Sequence, residues 1–161
     1  MFYWIKIVNA PNNHEIFMDE FPYPLQKFDW TYSIVGDDVP KPFSAGNYDT
    51  RKNVGPMTID MEGEIVESST TAYWSRRQAL LQDVVPNHDQ PAGTTRHSQL
   101  IIKLDNWGGS GGQQFSADVQ LSSFSIPIAA KGSPTISPFM FSWTCNAGYW
   151  TNTSTGILTR L

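Results

Sequence analysis

The sequence predicts a mainly β domain, a β-sandwich or barrel with one flanking α-helix at about residues 70–85, and three observations carry that prediction. Aromatic residues make up 13% of the 161 and are joined by 12 glycines and 11 prolines, a composition of short strands and turns rather than of a helical bundle. Runs of aromatic and β-branched residues recur between turn-forming clusters. Between Met57 and Val85 the apolar period changes from two to helical within about five residues. With 40% hydrophobic residues, the span 1–161 reads as a single domain with a real core.

The elements follow in chain order. Phe2 to Val8 is dense in aromatic and β-branched residues, with Lys6 its one charge, and reads as a first strand covered on both faces. Asn9 to Asn13, with Pro11, makes a turn, and Glu15 to Asp19 a short return strand. Glu20 to Pro24 holds two prolines and two aromatics and reads as an extended edge or loop. Phe28 to Val35 is the next strand. Residues 36–54 contain Gly36, Asp37, Asp38, Pro40, Pro42 and Gly46. They read as a long loop of the kind that carries function or is ordered by a partner.

From Met57 to Val66 the apolar Met57, Ile59, Met61 and Ile65 alternate with Thr58, Asp60, Glu62 and Glu64. A strand with one buried face has this period, and here its wet face is acidic. Ser68, Ser69 and Thr70 then offer N-caps, with Glu67 placed to favour a helix start. From Ala72 onward Tyr73, Trp74, Leu80, Leu81, Val84 and Val85 fall within an arc of roughly 140°, enough to lie on a sheet. Pro86 ends the helix by pushing Val85 out of the helical region. Arg77 projects inside the apolar arc, so it must snorkel or find a partner.

After a second loop come two strands, Gln99 to Leu104 and Phe115 to Phe124, joined by a hairpin tipped with the glycine cluster at 108–112. On the second, Ser116, Asp118, Gln120 and Ser122 share one face, and Phe115, Ala117, Val119 and Leu121 the other. Ser125 to Ala130 continues extended, Pro127 suggesting an edge or bulge. Ile136 to Asn146 is the last long strand, and Ile157 to Leu161 is a short strand or an arm.

Charge and cysteine content narrow the function. A net charge of −4 argues against a protein that grips nucleic acid through its phosphates. The charge is uneven. Residues 1–67 carry five Lys and Arg against eleven Asp and Glu, whereas residues 68–161 carry six against four. Such a split can put opposite signs on opposite faces and favour head-to-tail association of copies. Cys145 is the single cysteine, so no intrachain disulfide is possible, and it reads as a small core residue. The N-terminal apolar run lacks the basic start and cleavage site of a signal peptide. No stretch has the roughly 18–20 apolar residues of a membrane helix, and the expectation is a soluble protein made in a cytoplasm.

The usual chemical constellations do not assemble. His14, His88 and His97 lie in or beside loops without metal-ligand spacing. Asp60, Glu62 and Glu64 point the same way, about 7 Å apart, whereas a glycosidase pair faces across a cleft with contrasting pKa values. The cluster at 108–112 lacks the Gly-Lys-Ser/Thr ending of a phosphate loop, and there is no nucleophile elbow. Asn152 to Ser154 matches a glycosylation tripeptide, which arises often by chance. Trp30, Trp107, Trp143 and Trp150 fit core packing better than sugar stacking. The expectation is therefore no enzyme and no cofactor or metal.

One segment carries a resemblance. Glu62-Gly63-Glu64-Ile65, the small polar run Ser68 to Thr71, Trp74, Arg76-Arg77, Ala79-Leu80-Leu81 and Pro86 resemble the N-terminal domain of the distal tail protein family of long-tailed phages. About thirty residues match closely, the rest only in the order of β elements. The resemblance implies a β domain with one packed helix, assembled with its own copies into a ring, typically of six, around a channel through which DNA passes. It implies tail-tube and tail-tip or baseplate proteins as neighbours, and a place in the virion tail. Asp60, Glu62 and Glu64 are then candidates to face the lumen, with a solvated outer face as the equal alternative. Trp74, Arg76 and Arg77 are candidates for a helix–sheet or subunit seam. A tail-tube or other minor tail protein, and a carbohydrate-binding β-sandwich using Trp107 or Trp150, are the alternatives.

Overall fold

The computed structural model describes residues 2–9, 14–18, 22–35, 39–40, 47–48, 53–85, 98–105, 112–128 and 135–161. In chain order the elements are β1 (Phe2–Asn9), β2 (His14–Phe17), β3 (Leu25–Val35), β4 (Val39–Pro40), β5 (Asn47–Tyr48), β6 (Asn53–Val66), α1 (Thr70–Val84), β7 (Ser98–Leu104), β8 (Gln113–Ser125), β9 (Ile136–Cys145), β10 (Trp150–Asn152) and β11 (Leu158–Thr159). The mainly β class with one flanking helix is what is found.

The strands run in the order β2-β1-β7-β8-β9-β6-β3, each pair antiparallel. β8 is the pivot. Gln113 to Val119 pairs with β7, whereas Gln120 to Ser125 pairs with β9, with a register shift between Leu121 and Ser123. A bulge bends a strand and lets it pass from one layer to another. The two halves turn their apolar faces on one another around a single core. Ile5, Ile7, Leu100, Ile102, Phe115 and Val119 come from one half, and Met57, Ile59, Met61, Phe139, Phe141 and Trp143 from the other. The period-two pattern of the sequence explains both sets, since a strand residue can be inward only if its neighbours are outward.

Helix α1 covers β1, β2 and β6. Ser69 caps it, its Oγ accepting the Ala72 N–H at 3.2 Å, and Val85 at its end is extended, with φ −85° and ψ 126°, as the proline behind it requires. Tyr73, Leu80 and Val84 are buried and Leu81 is partly so. Trp74, expected in the same stripe, is instead 40% exposed. It lies on the flank of the arc, with its ring centre 5.3 Å from that of Tyr73.

Other differences are of extent. β6 begins at Asn53 and not at Met57, which shortens the predicted 36–54 loop, and two residue pairs within that loop form the ladder β4–β5. β10 had no signal in the sequence; it pairs Thr151 with Ser116 and Asn152 with Phe115 on β8. The C-terminal residues form the two-residue β11 and then an inward end, where the Leu161 carbonyl accepts the Trp30 Nε1–H at 3.2 Å. His88, His97, Trp107 and most of the glycine cluster lie outside the described residues.

Gly63, inside the segment that carries the resemblance, has a packing reason. A Cβ there would lie 2.6 Å from the Phe139 ring and 2.6 Å from the Pro24 carbonyl oxygen. Gly63→Ala should therefore cost about 1–3 kcal/mol through overpacking, read as a lower denaturation midpoint with an unchanged m-value.

Alkaline pH gives a second expected result. Burial raises the Tyr23 phenol above its ordinary value of 10.0, opposed in part by the Arg76 charge, and burial likewise raises Tyr32. The folded chain holds these protons more tightly than the unfolded one. Their contribution is thus complete below about pH 10 and is lost as pH rises through the folded-state values. Denaturation midpoints should fall above that pH, and Tyr23→Phe should flatten the decline.

Candidate assembly face

The inward side of β6 is core, so its outward side is fixed by the same alternation: Thr58, Asp60, Glu62 and Glu64. Register extends this row across four strands. Asp60 lies between Asp29 on β3 and Ser142 on β9, and Ser142 meets Ser123 on β8. Glu62 lies between Lys27 and Met140, which meets Ser125. Thr58 lies between Thr31 and Thr144, and Thr144 meets Gln120. The result is a hydroxyl-rich face in which four carboxylates, Asp29, Asp60, Glu62 and Glu64, accompany one ammonium, Lys27.

Lys27 Nζ bridges to Glu62 Oε1 at 3.2 Å, with both side chains largely solvated. This pair contributes little to stability, yet the Glu62 carboxylate raises the Lys27 pKa through its hydrogen bond and charge. Asp29 and Asp60 stand directly opposite each other, an arrangement that destabilises a sheet locally. Stability alone therefore does not account for the acidic character. A depression of about 490 Å³ runs over this face, lined by Lys27, Asp60, Glu62, Ser123, Ser125 and Ser142 among others. Among the described residues no three His, Cys, Asp or Glu side chains are grouped as metal ligands, and no helix is long and apolar enough to cross a membrane.

The face is bounded by two strand edges. Among the described residues β3 pairs only with β6, and Gln120 to Ser125 of β8 pairs only with β9. On β3 the Trp30 N–H is taken by the Asp29 Oδ1 at 2.8 Å, a side chain closing part of the edge, one way in which sheets limit uncontrolled pairing. Asp29 and Lys27 escaped the sequence reading because the β3 alternation is loose. Only pairing with β6 sets them beside Asp60 and Glu62.

The helix seam resolves differently for each of its arginines. Arg76 Nε donates to Glu67 Oε1 at 2.8 Å, with the Glu67 side chain 8% exposed, while the Arg76 backbone carbonyl accepts from the Tyr23 hydroxyl at 3.2 Å. Arg77, the awkward residue of the apolar arc, makes no ion pair among the described residues. Its NH2 group donates to the Ile126 carbonyl at 3.2 Å, its guanidinium lies 5.8 Å from the Trp74 ring centre, and its Nε is buried without a partner among the described residues. It anchors the segment after β8 to the helix. Arg77→Ala should cost about 1–2 kcal/mol, measured by chemical denaturation, with the Trp74 fluorescence altered.

Among the described residues two tryptophans are core. Trp143 and Trp150 are fully buried, and Trp150 meets Trp30 edge to face at 5.7 Å, so none of these offers an open platform to a sugar. Cys145 is buried, as its small-core reading expects.

The chain matches no protein-family model and no curated protein sequence. Its course is similar to solved chains from two particles. One is a chain of the anti-feeding prophage (AFP) baseplate in a 6-fold symmetrised cryo-EM structure, with 9% identity, coverage of 87% of this chain and 85% of that one, and a TM-score of 0.43. The other is a chain of the tail of an empty GTA particle refined with C6 symmetry, with 13% identity, coverage of 94% and 95%, and a TM-score of 0.44. Identity and overlay are both too low for the neighbours' assemblies to be transferred to this chain.

Proposed function

We propose that this protein is a structural component of a phage tail, a ring-forming distal adaptor that joins the tail tube to the tip or baseplate. In this reading copies of the chain, six by the resemblance of residues 59–85, close around a channel faced by the outer side of β8, β9, β6 and β3. The observation that carries it is the pairing of an acidic, hydroxyl-rich sheet face with one strand edge at each side. Four antiparallel strands alternate in direction, so copies related by rotation about an axis along the strands would bring β3 of one against β8 of the next in antiparallel sense. Edge strands are where sheets accept another chain.

The charge suits the channel role. Like charge repels phosphate, so DNA passes without sticking. Arg76, Arg77 and Trp74 then serve the internal helix seam first, with the exposed part of Trp74 left for a neighbouring tail protein. A tube or other minor tail protein is the second reading, favoured by exposed apolar residues at both ends of the same sheet: Ile34 and Val35 at one, Ile136 at the other. Native mass measurement and electron microscopy of the purified chain test the proposal. A closed ring that stops at one layer is expected. Long stacks would favour the tube reading, and a monomer at every concentration would remove both.

A further inference from the structure

On the other half of the sandwich, facing away from the core, register builds a second polar surface. Gln99 of β7 is paired with Asp118 of β8, and its Nε2 donates to the Asp118 Oδ1 at 3.2 Å. Ser116, two residues earlier on β8 and therefore on the same face, is paired with Thr151 of β10, which is paired with Leu158 of β11. Tyr149, two residues before Thr151, extends the grid beside Asp118, and Arg160, two after Leu158, extends it on the far side of Tyr149. Two adjoining depressions meet there. One, of about 320 Å³, is lined by Gln99, Ser116, Asp118, Tyr149, Thr151 and Leu158 among others. The other, of about 400 Å³, is lined by Tyr149, Leu158, Thr159 and Arg160. Tyr149 and Leu158 belong to both.

We propose that this double hollow around Tyr149 is a saccharide-binding site. Its chemistry excludes the main competitors. Among the residues that line the two hollows, a phosphate or nucleotide ligand would meet a single cation, Arg160, and the Asp118 carboxylate on the other side of Tyr149 would oppose it. A β-strand ligand needs an open edge, whereas the floor here is the face of strands that pair with one another, so recognition falls to side chains. What those side chains offer is an amide, a carboxylate, three hydroxyls and a guanidinium along two hollows that share one phenol. That set supplies both donors and acceptors to a polyol, and an aromatic surface complements the apolar C–H side of a pyranose. The Gln99–Asp118 hydrogen bond holds two of the polar groups in place before a ligand arrives, which lowers the ordering cost. Charge balance across Asp118 and Arg160 favours a neutral sugar. The site uses neither the tryptophans nor the acidic face, and it stands independently of the ring.

The test is titration of the purified full chain, in whatever oligomeric state it adopts, with neutral oligosaccharides of glucose, galactose and N-acetylglucosamine, followed by ligand-observed NMR. Saturation transfer from protein to at least one of them is expected, with dissociation constants in the millimolar range or tighter. Tyr149→Ala should weaken binding at least tenfold. Because Tyr149 is half-buried, Asp118→Asn and Arg160→Ala, both at exposed positions, are parallel variants expected to weaken it severalfold with unchanged denaturation midpoints. Asp60→Asn on the opposite half should leave it unchanged. Absence of transfer from the whole panel overturns the proposal, as does binding that survives all three substitutions at the hollow. A change in oligomer size in these variants without any saccharide binding overturns it too, and marks the hollow as a subunit contact.

Discussion

Trp150→Ala is expected to remove about 3–5 kcal/mol of stability, a large part of the roughly 5–15 kcal/mol that holds a domain of this size. The indole is fully buried, on β10 and beside Trp30 of β3. It therefore fills the space between the two halves at the side where the C-terminal residues close the sandwich through Leu161 and Trp30. Truncation leaves a cavity lined by residues that regular pairing holds in place and that can collapse only in part. Denaturant unfolding followed by circular dichroism measures the loss. A variant as stable as the parent would mean that this side of the core is filled in some other way. The same substitution separates two roles for the residue. A sugar platform would lose a ligand and keep its stability, whereas truncation of this tryptophan should lose stability.

The second large effect is electrostatic. Asp60→Lys, Glu62→Lys and Glu64→Lys together turn the outward row of β6 from acidic to basic, at half-buried positions paired with Ser142, Met140 and Pro138 of β9. If that row faces the channel, the assembled variant should retain double-stranded DNA that the parent releases. Three lysines meeting phosphates give a slope of about −2.7 in log K against log salt. Retention should then weaken about fortyfold between 50 and 200 mM salt by that slope. Filter retention across a salt series is the measurement, with oligomer size checked alongside. A variant that assembles like the parent and ignores DNA would take this row away from the lumen and leave it as a solvated outer surface.

How much of this was legible beforehand depends on the range of the interaction involved. Asp60, Glu62 and Glu64 fall on one face by alternation, which is a property of a single strand and needs no partner. Asp29 joins them only through pairing. Nothing within β3 says which residue of β6 it will meet, and a register shift between Leu25 and Lys27 moves every pairing that follows. Trp74 shows the same limit on a helix. Its angle put it with Tyr73 and Leu80, but whether a residue at the margin of an apolar arc is buried depends on how far the opposing sheet extends.

The sequence by itself determined the class of the fold, the place of its one described helix, and the inward and outward sides of β6 and β8. These are set by local backbone geometry and by the exclusion of apolar side chains from water, and both are written into neighbouring residues. Only the tertiary structure decided that β8 serves both halves, that β10 exists, that Arg77 binds a carbonyl instead of a carboxylate, and that an acidic face ends in two strand edges. Each of those depends on residues far apart in the chain meeting in one register, a choice made by the packing of the whole core.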